Sequence, residues 1–232
     1  FFGALDFSDV LMEGRLSVLL FAGALHVDLP QLADYRWQVG LLAVCGTILA
    51  AVLVGFGLYW LLPLAGLQLP LPFCLVFGAL IAPTDPISVT GLLRKVGAPA
   101  NLETVISGES LFNDGVGIVL FTVMASMATR HEAPGGTETL ILLLREAGGG
   151  IAYGLVLGYV TYRMLKSIDS YQEEVLLTVA AVLGGYSLAH LIGVSGPLAM
   201  VATGILIGNL GRREGMSDAT RSHVDQFWEL LD

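Results

Sequence analysis

Long apolar segments follow one another along almost the whole chain, and they constrain its fold more than any other feature. We place seven of them, here called spans A to G, each close to the roughly 20 residues that a helix needs to cross a bilayer core. The alternating ten-residue segments of a membrane β-barrel are absent, so the spans are predicted to be helices. An eighth span is predicted to begin near Phe227. The predicted bounds are A 10–29, B 38–62, C 73–93, D 104–128, E 146–166, F 174–193 and G 196–210.

The charge content supports this class of multi-pass, all-α membrane protein. Only 13% of the residues are charged and the mean hydropathy is +0.76, whereas soluble domains carry about 25% charged residues. The net charge of −9 argues against nucleic acid as a partner. No soluble segment interrupts the spans, so we expect residues 1–232 to form a single transmembrane domain. The chain starts at Phe1 and ends in "FWELLD", so we expect a fragment that is incomplete at both ends.

Span C contains a stretch that a continuous helix does not accommodate, "GALIAPTDPISV" at residues 78–89. Pro83 and Pro86 each remove a backbone donor and clash with the preceding helical turn, and a residue before proline avoids the helical region. We therefore predict that the helix unwinds from Ala82 to Pro86. Non-helical backbone at membrane depth is tolerated where it is buried in protein or lines a cavity, and transporters use such breaks to coordinate ions. A simple proline kink, with Asp85 capping the next helix, is the alternative.

Span D carries acidic and polar side chains in "SGESLFNDGVG", residues 107–117. Asp85 and Asp114 both lie near the middle of their spans, where a charge costs at least about 2.5–3.5 kcal/mol on insertion scales and usually marks a functional site. Ser110 and Asp114 share one helix face, and Glu109 and Asn113 share the neighbouring face. Oxygen ligands of this kind suit a small hard cation such as Na⁺.

Other interpretations of span D stay open at this point. Ser110 fits helix packing as well as ligation, and Glu109 fits an ion pair with a basic residue better than direct cation binding. Gly108, Gly115 and Gly117 would let another backbone approach the helix closely. A buried carboxylate disfavours its charged form and a bound cation favours it. A proton and a cation would therefore displace each other at Asp114, which gives exchange if only the loaded site crosses the membrane.

The two motifs together resemble the sodium/proton exchanger superfamily, in the branch with an Asn-Asp pair. The resemblance rests on "APTDPISV" followed by "GESLFNDGVG", and it extends through "LSVLLFAGALHVDL" and "LAHLIGVSGPLAMVATGILIGN", so it covers nearly all of the chain. The family's ion- and proton-binding aspartate matches Asp114, its broken-helix Thr-Asp pair matches Thr84 and Asp85, and the serine one turn before the aspartate matches Ser110. Asn113 stands where electrogenic relatives carry a second aspartate, which implies electroneutral exchange.

The resemblance also implies a fold of two inverted repeats with two crossed, unwound helices, of which span C would be one. It implies a homodimer, with spans A, B and G forming much of the dimer-holding domain, and a place in the plasma (inner) membrane of a bacterium. Some relatives carry an extra acid in the helix that matches span A, but residues 21–23 here read Phe-Ala-Gly. We thus predict a secondary transporter that exchanges Na⁺ for H⁺, without a cofactor and without enzymatic activity. The predicted site comprises Asp114, Ser110 and Thr84 as Na⁺ ligands, Asp85 shaping the site, Asn113 and Glu109 supporting it, and Pro83 and Pro86 forming the break.

Four alternatives stand beside this prediction. An intramembrane aspartyl protease also uses two membrane aspartates, but its Gly-x-Gly-Asp motif is absent, since Asp114 follows Leu-Phe-Asn. A channel prefers symmetric rings or filters, which one broken helix with a single acid pair does not resemble. A membrane scaffold without transport leaves the two mid-membrane acids unexplained. Exchange of K⁺ in place of Na⁺ stays open, because ion choice depends on cavity size and ligand number.

Overall fold

The structure, a computed structural model, is built of helices, and its described residues contain no β-strand. It divides into two compact units, Phe1–Leu29 with Gly148–Asp232, and Pro30–Ala147. Here these are called the first and the second unit. The described residues are 17–85, 87–129, 137, 141–142, 144–168, 170–215 and 218–231.

The described residues of the first unit form five α-helices. Span A is helical over its described residues 17–25, called α1, and its residues before 17 lie outside the described part. The others are α8 (Gly149–Leu165), α9 (Tyr171–Ile192), α10 (Gly196–Leu206) and α11 (Asp218–Glu229); a π-helical turn, Ile207–Gly215, extends α10. Spans E, F and G therefore correspond to α8, α9 and α10.

Small residues bring α8 and α10 into close contact inside the first unit. A Cβ atom added at Gly154 would lie 2.3 Å from the main-chain oxygen of Ala199, so only glycine permits this approach. The hydroxyl of Thr203 donates a hydrogen bond to the carbonyl of Gly154 at 2.9 Å, which satisfies a buried polar side chain. Ser195 caps α10 by accepting from the amide of Leu198 at 3.4 Å. The helix start predicted at this turn is therefore present.

The last helix differs from the prediction. α11 begins at Asp218, so the expectation of a helix beginning near Phe227 is wrong, and Phe227 lies near its end. Val224 and Trp228, four residues apart, are buried, and the Trp228 indole donates to Thr178 Oγ1 at 3.1 Å. The segment is polar with one apolar face, so a search for uniformly apolar spans passes over it.

In the second unit, six α-helices have defined bounds within the described residues. α3 (Arg36–Leu41) runs through a π-helical turn, Leu42–Gly46, into α4 (Thr47–Leu61), and a 3₁₀ turn, Leu62–Ala65, follows. This continuous stretch corresponds to span B. We expected span B to belong with spans A and G to the domain that would hold a dimer. Span B belongs to the second unit, whereas spans A and G belong to the first, so this grouping is wrong for span B. The helices of this unit are α2 (Leu29–Asp34), α3 (Arg36–Leu41), α4 (Thr47–Leu61), α5 (Leu71–Ile81), α6 (Ile87–Val96) and α7 (Ala100–Thr129).

A stripe of residues spaced by four gives the long α3–α4 helix its buried face. Val39, Ala43, Thr47, Ala51 and Gly55 are buried, and α4 packs chiefly against α5. The remaining faces are apolar and largely exposed. Among the described residues, three helices could cross a membrane on length and composition: Arg36–Ala65, Asn101–Thr129 and Tyr171–Ile192, with Leu71–Ile81 and Gly196–Gly211 as shorter apolar helices.

The break predicted in span C is present. α5 ends at Ile81, residues 82–85 are not helical, and α6 begins at Ile87, while Pro86 lies outside the described residues. Pro83 within the break has no amide hydrogen to continue the helix. The two halves of span C are thus separate helices joined by an unwound segment, residues 82–85, and the prediction of an unwound helix is confirmed.

Candidate functional site

Helix α7 positions the polar side chains of the site on one continuous support. It runs unbroken for 30 residues, so Ser110, Asn113 and Asp114 recur at helical spacings and face the same side. Ser110 and Asn113 are buried, with exposed fractions of 3% and 1%, and Asp114 is partly buried. The predicted face of span D is therefore turned towards protein.

Two of these side chains hold the unwound segment. The hydroxyl of Ser110 donates a hydrogen bond to the main-chain oxygen of Thr84, and the Nδ2 group of Asn113 donates to Thr84 Oγ1 at 2.9 Å. A helix break releases main-chain oxygens that must find donors elsewhere in a membrane. Thr84 is thus tied through both its main chain and its side chain to α7.

The amide of Asn113 also reaches Glu109, one turn earlier on the same helix. Its Nδ2 group donates to Glu109 Oε1 at 2.9 Å. A carboxylate accepts hydrogen bonds and cannot donate them when ionised, so the amide nitrogen must face Glu109. This arrangement leaves Asn113 Oδ1 buried with no hydrogen-bond partner among the described residues. Asn113 therefore links Thr84 on the unwound segment to Glu109 on α7.

Three carboxyl groups belong to the unwound segment and to the middle of α7. Asp85 follows Thr84 on the segment, and Glu109 and Asp114 lie on α7. A bare carboxylate at membrane depth is costly, and either a proton or a cation would neutralise it. The arrangement can therefore accept one positive charge in either form.

The oxygens available to a cation come from more than carboxylates. The described residues contain no group of three or more His, Cys, Asp or Glu side chains arranged to hold a metal ion. A cation beside Asp114 would draw on the hydroxyl and carbonyl oxygens of Ser110 and Thr84, both hard ligands. Within this chain Thr84 and Asp85 are exposed, whereas Ala82 before them is buried.

The structure thus brings together most of the predicted site residues. Thr84, Ser110, Asn113 and Glu109 form one hydrogen-bonded group. Pro83 packs on α7 at Gly117. From the sequence we expected a close approach at this glycine but could not name the partner. Asp85 directly follows Thr84 and Asp114 directly follows Asn113 in the chain, so both are neighbours of this group, and Pro86 lies outside the described residues.

Comparison with known proteins identifies the family to which the chain belongs. The family described as "Sodium/hydrogen exchanger, transmembrane" matches residues 1–231. The chain belongs to this family. It is 52% identical over 228 residues to the Na⁺/H⁺ antiporter NhaP of Pseudomonas aeruginosa, covering 98% of this chain and 54% of that protein. It is 34% identical over 227 residues to the Na⁺/H⁺ antiporter NhaG of Bacillus atrophaeus, covering 97% of this chain and 42% of that protein.

The fold has a counterpart among solved structures. The sodium proton antiporter MjNhaP1 from Methanocaldococcus jannaschii, solved at pH 8, superposes with a TM-score of 0.78 at 25% identity, covering 96% of this chain and 53% of that one. The all-helical antiporter fold predicted from the sequence is therefore confirmed. The chain spans about half the length of the curated relatives it matches.

Proposed function

We propose that the protein is a secondary transporter that exchanges a monovalent cation, Na⁺ in the first place, for H⁺ across a membrane. The observation that carries this proposal is the tie between the unwound segment and α7, in which Ser110 and Asn113 both donate to Thr84. That tie brings freed main-chain oxygens to the turn that carries Asp114. Membership of the exchanger family and the named activities of its antiporter relatives support the same reaction.

The proposed mechanism is competition at Asp114. A cation would bind the Asp114 carboxylate together with oxygens of Ser110 and Thr84, with Asp85 adding negative charge nearby. A proton on Asp114 would remove the principal ligand, and a bound cation would exclude the proton. Because a bare carboxylate at membrane depth is costly, the empty and ionised site is the least favourable state. Exchange follows if only the loaded site changes its access.

The coupling that we propose is one cation for one proton. Asn113 occupies the position where electrogenic relatives carry a second aspartate, and its Nδ2 group donates to two acceptors. A neutral amide leaves Asp114 as the one group that alternates between proton and cation. Net charge movement in each cycle is then zero.

The oligomeric state and the membrane are also part of the proposal. The homodimer rests on the family resemblance alone, and the bacterial relatives support a place in the bacterial plasma membrane. The site chemistry uses no resident cofactor and performs no covalent step, so we propose a transporter and not an enzyme. K⁺ in place of Na⁺ would keep the same mechanism with a different cation.

The test uses the full-length protein in everted membrane vesicles that lack their own antiporters. Respiration establishes a pH gradient, and a fluorescent dye reports its collapse when Na⁺, K⁺ or Li⁺ is added. We expect Na⁺ to collapse the gradient with the wild type and with Asp34→Asn, a matched change at an exposed aspartate. We expect no collapse with Asp114→Asn.

Each outcome has a defined meaning. Collapse by K⁺ alone keeps the mechanism and changes the cation. A gradient that persists with all three ions, across neutral and alkaline pH and with the protein present in the membrane, contradicts the exchanger proposal. Full activity of Asp114→Asn contradicts the role of Asp114. A rate that changes when the membrane potential is clamped with valinomycin and K⁺ contradicts one-for-one coupling.

A further inference from the structure

Gly117 on α7 packs directly against Pro83 of the unwound segment. A Cβ atom added at Gly117 would lie 2.3 Å from Pro83 Cγ, 3.1 Å from Cδ and 3.6 Å from Cβ. These three nearest atoms all belong to one proline ring, and Gly117 is buried. The ring therefore occupies the space that any other residue at this position would fill.

A proline ring cannot make room as a flexible side chain would. Its atoms are bonded to both Cα and the main-chain nitrogen, so relief of a contact requires the backbone to move. Non-bonded carbon atoms are comfortable at about 3.5–4.0 Å. A methyl group at Gly117 would therefore displace Pro83 by about 1 Å or more, and Thr84 is the next residue.

Gly117 completes a row of contacts along one face of α7. Ser110, Asn113 and Gly117 follow at spacings of three and four, which place them on the same side of a helix. Ser110 and Asn113 both bind Thr84, and Gly117 receives Pro83. The unwound segment thus meets α7 at three successive turns, and at the third turn the contact depends on the absence of a side chain.

The apolar contacts next to this row bring the same segment to the same helix. Ala82 and Leu120 are buried in one small cluster, with Val116 packed against it. These residues flank the contact between Pro83 and Gly117 on both elements. The position of Pro83 is therefore limited by packing on either side, and a sideways shift of the ring would disturb that cluster.

We propose that Gly117 is a positioning residue that sets how close Thr84 and Asp85 stand to the Asp114 face of α7, and thereby the affinity and selectivity for small alkali cations. This inference rests on the proposed exchange function. Ser110 and Asn113 pull Thr84 towards α7, and Gly117 lets the neighbouring ring come close enough for both hydrogen bonds to form. A displacement of about 1 Å would take the 2.9 Å bond of Asn113 beyond hydrogen-bonding distance.

The test compares Gly117→Ala, Pro83→Ala and the double variant in the full-length protein. Pro83→Ala removes the Cγ and Cδ atoms that the new methyl group would strike. We expect Gly117→Ala to raise the apparent KM for Na⁺ at least fivefold in the vesicle assay and to change the order of response to Li⁺, Na⁺ and K⁺. We expect the double variant to return to within twofold of the KM of Pro83→Ala alone.

Two control variants separate positioning from general packing damage. Gly184→Ala adds a methyl group where no heavy atom lies within 4 Å, so KM should stay at the wild-type value and thermal stability should not fall below it. Gly154→Ala creates an equally close contact in the first unit, 2.3 Å from the Ala199 oxygen. It should lower thermal stability without changing KM. Alanine forms helices better than glycine, so a loss at Gly117 does not come from helix propensity.

The second readout is the thermal unfolding of the wild type, Gly117→Ala, Pro83→Ala and the double variant, measured without alkali cations. Recovery of the melting temperature in the double variant supports the contact even where Gly117→Ala alone fails to accumulate. If the double variant is as impaired as Gly117→Ala, or if Gly117→Ala keeps the wild-type KM and cation order, the inference is overturned. A further outcome is that the melting temperature recovers in the double variant while the wild type moves no protons. That result would overturn the exchange function and retain the contact between Gly117 and Pro83.

Discussion

Replacement of Asn113 by alanine tests whether its amide serves the site or only the fold. The change removes the hydrogen bonds from Nδ2 to Thr84 Oγ1 and to Glu109 Oε1, both of 2.9 Å. A bond between neutral groups contributes about 0.5–1.5 kcal/mol and one to a carboxylate about 1.5–3 kcal/mol, so the gross loss is about 2–4.5 kcal/mol. The change also removes the buried Oδ1 atom, which has no partner among the described residues. That removal returns about 1–3 kcal/mol.

The central values leave a net loss of about 1 kcal/mol in the free energy of unfolding, and about 3.5 kcal/mol at most, so we expect the variant to fold. Asn209 offers a matched control in the first unit. It accepts from the amide of Leu29 at 3.0 Å and donates to the carbonyls of Val27 and Ile205 at 3.0 and 2.8 Å. These three bonds are partly accessible to water, so Asn209→Ala should cost a similar amount, about 1–3 kcal/mol.

The two variants should separate in function although they resemble each other in stability. We expect Asn113→Ala to raise the apparent KM for Na⁺ in the vesicle assay, because Thr84 loses one of its two ties to α7. We expect Asn209→Ala to keep the wild-type KM. Unfolding of the detergent-solubilised full-length protein gives the stabilities. Equal KM values for the two variants, at equal protein levels in the membrane, would refute the reasoning that Asn113 holds the cation site.

Three further predictions concern residues outside the site. Trp228→Phe should lower the free energy of unfolding by about 1–2 kcal/mol because it removes the buried hydrogen bond to Thr178. Trp60→Phe, at a 71% exposed position, should change the free energy of unfolding by less than about 0.5 kcal/mol. Denaturant titration compares the two variants. Gly154→Ala should cost about 1–3 kcal/mol as an overpacked contact with Ala199, and a wild-type melting temperature would contradict this. In variants that keep a single tryptophan, brominated lipids should quench the fluorescence of Trp60 and spare Trp228, which is completely buried; equal quenching would show that the exposed face of α4 does not meet lipid.

The unwound segment was predictable because its cause is local. Two prolines separated by two residues cannot stay in one helix, and the break lies at residues 82–85 as expected. The polar face of α7 was predictable for a similar reason, since the helix is regular and the spacing of Ser110 and Asp114 decides which side they share. In both cases a few neighbouring residues contain the whole argument.

The pairing within the site was not predictable, because it depends on contacts between distant parts of the chain. Ser110 fitted helix packing as well as ligation, and only the structure shows that it donates to a carbonyl 26 residues away. Glu109 was expected to pair with a basic residue, and within the described residues its carboxylate accepts from Asn113. The close approach that glycines permit was foreseen on α7, but the partner of Gly117 could not be named from the sequence.

In this arrangement neutral groups hold the unwound segment, and a different, ionisable group is proposed to bind the cation. Ser110 and Asn113 hold Thr84 through hydroxyl and amide groups, which do not change their charge over the working range of pH. The group proposed to alternate between proton and cation is Asp114, which shares its helix face with Ser110 but is not part of these two bonds. The unwound segment can therefore keep its place on α7 while the charge on Asp114 changes. A site held instead by an ion pair with Asp114 would loosen each time the aspartate took up a proton, and the geometry needed for the next cation would be lost.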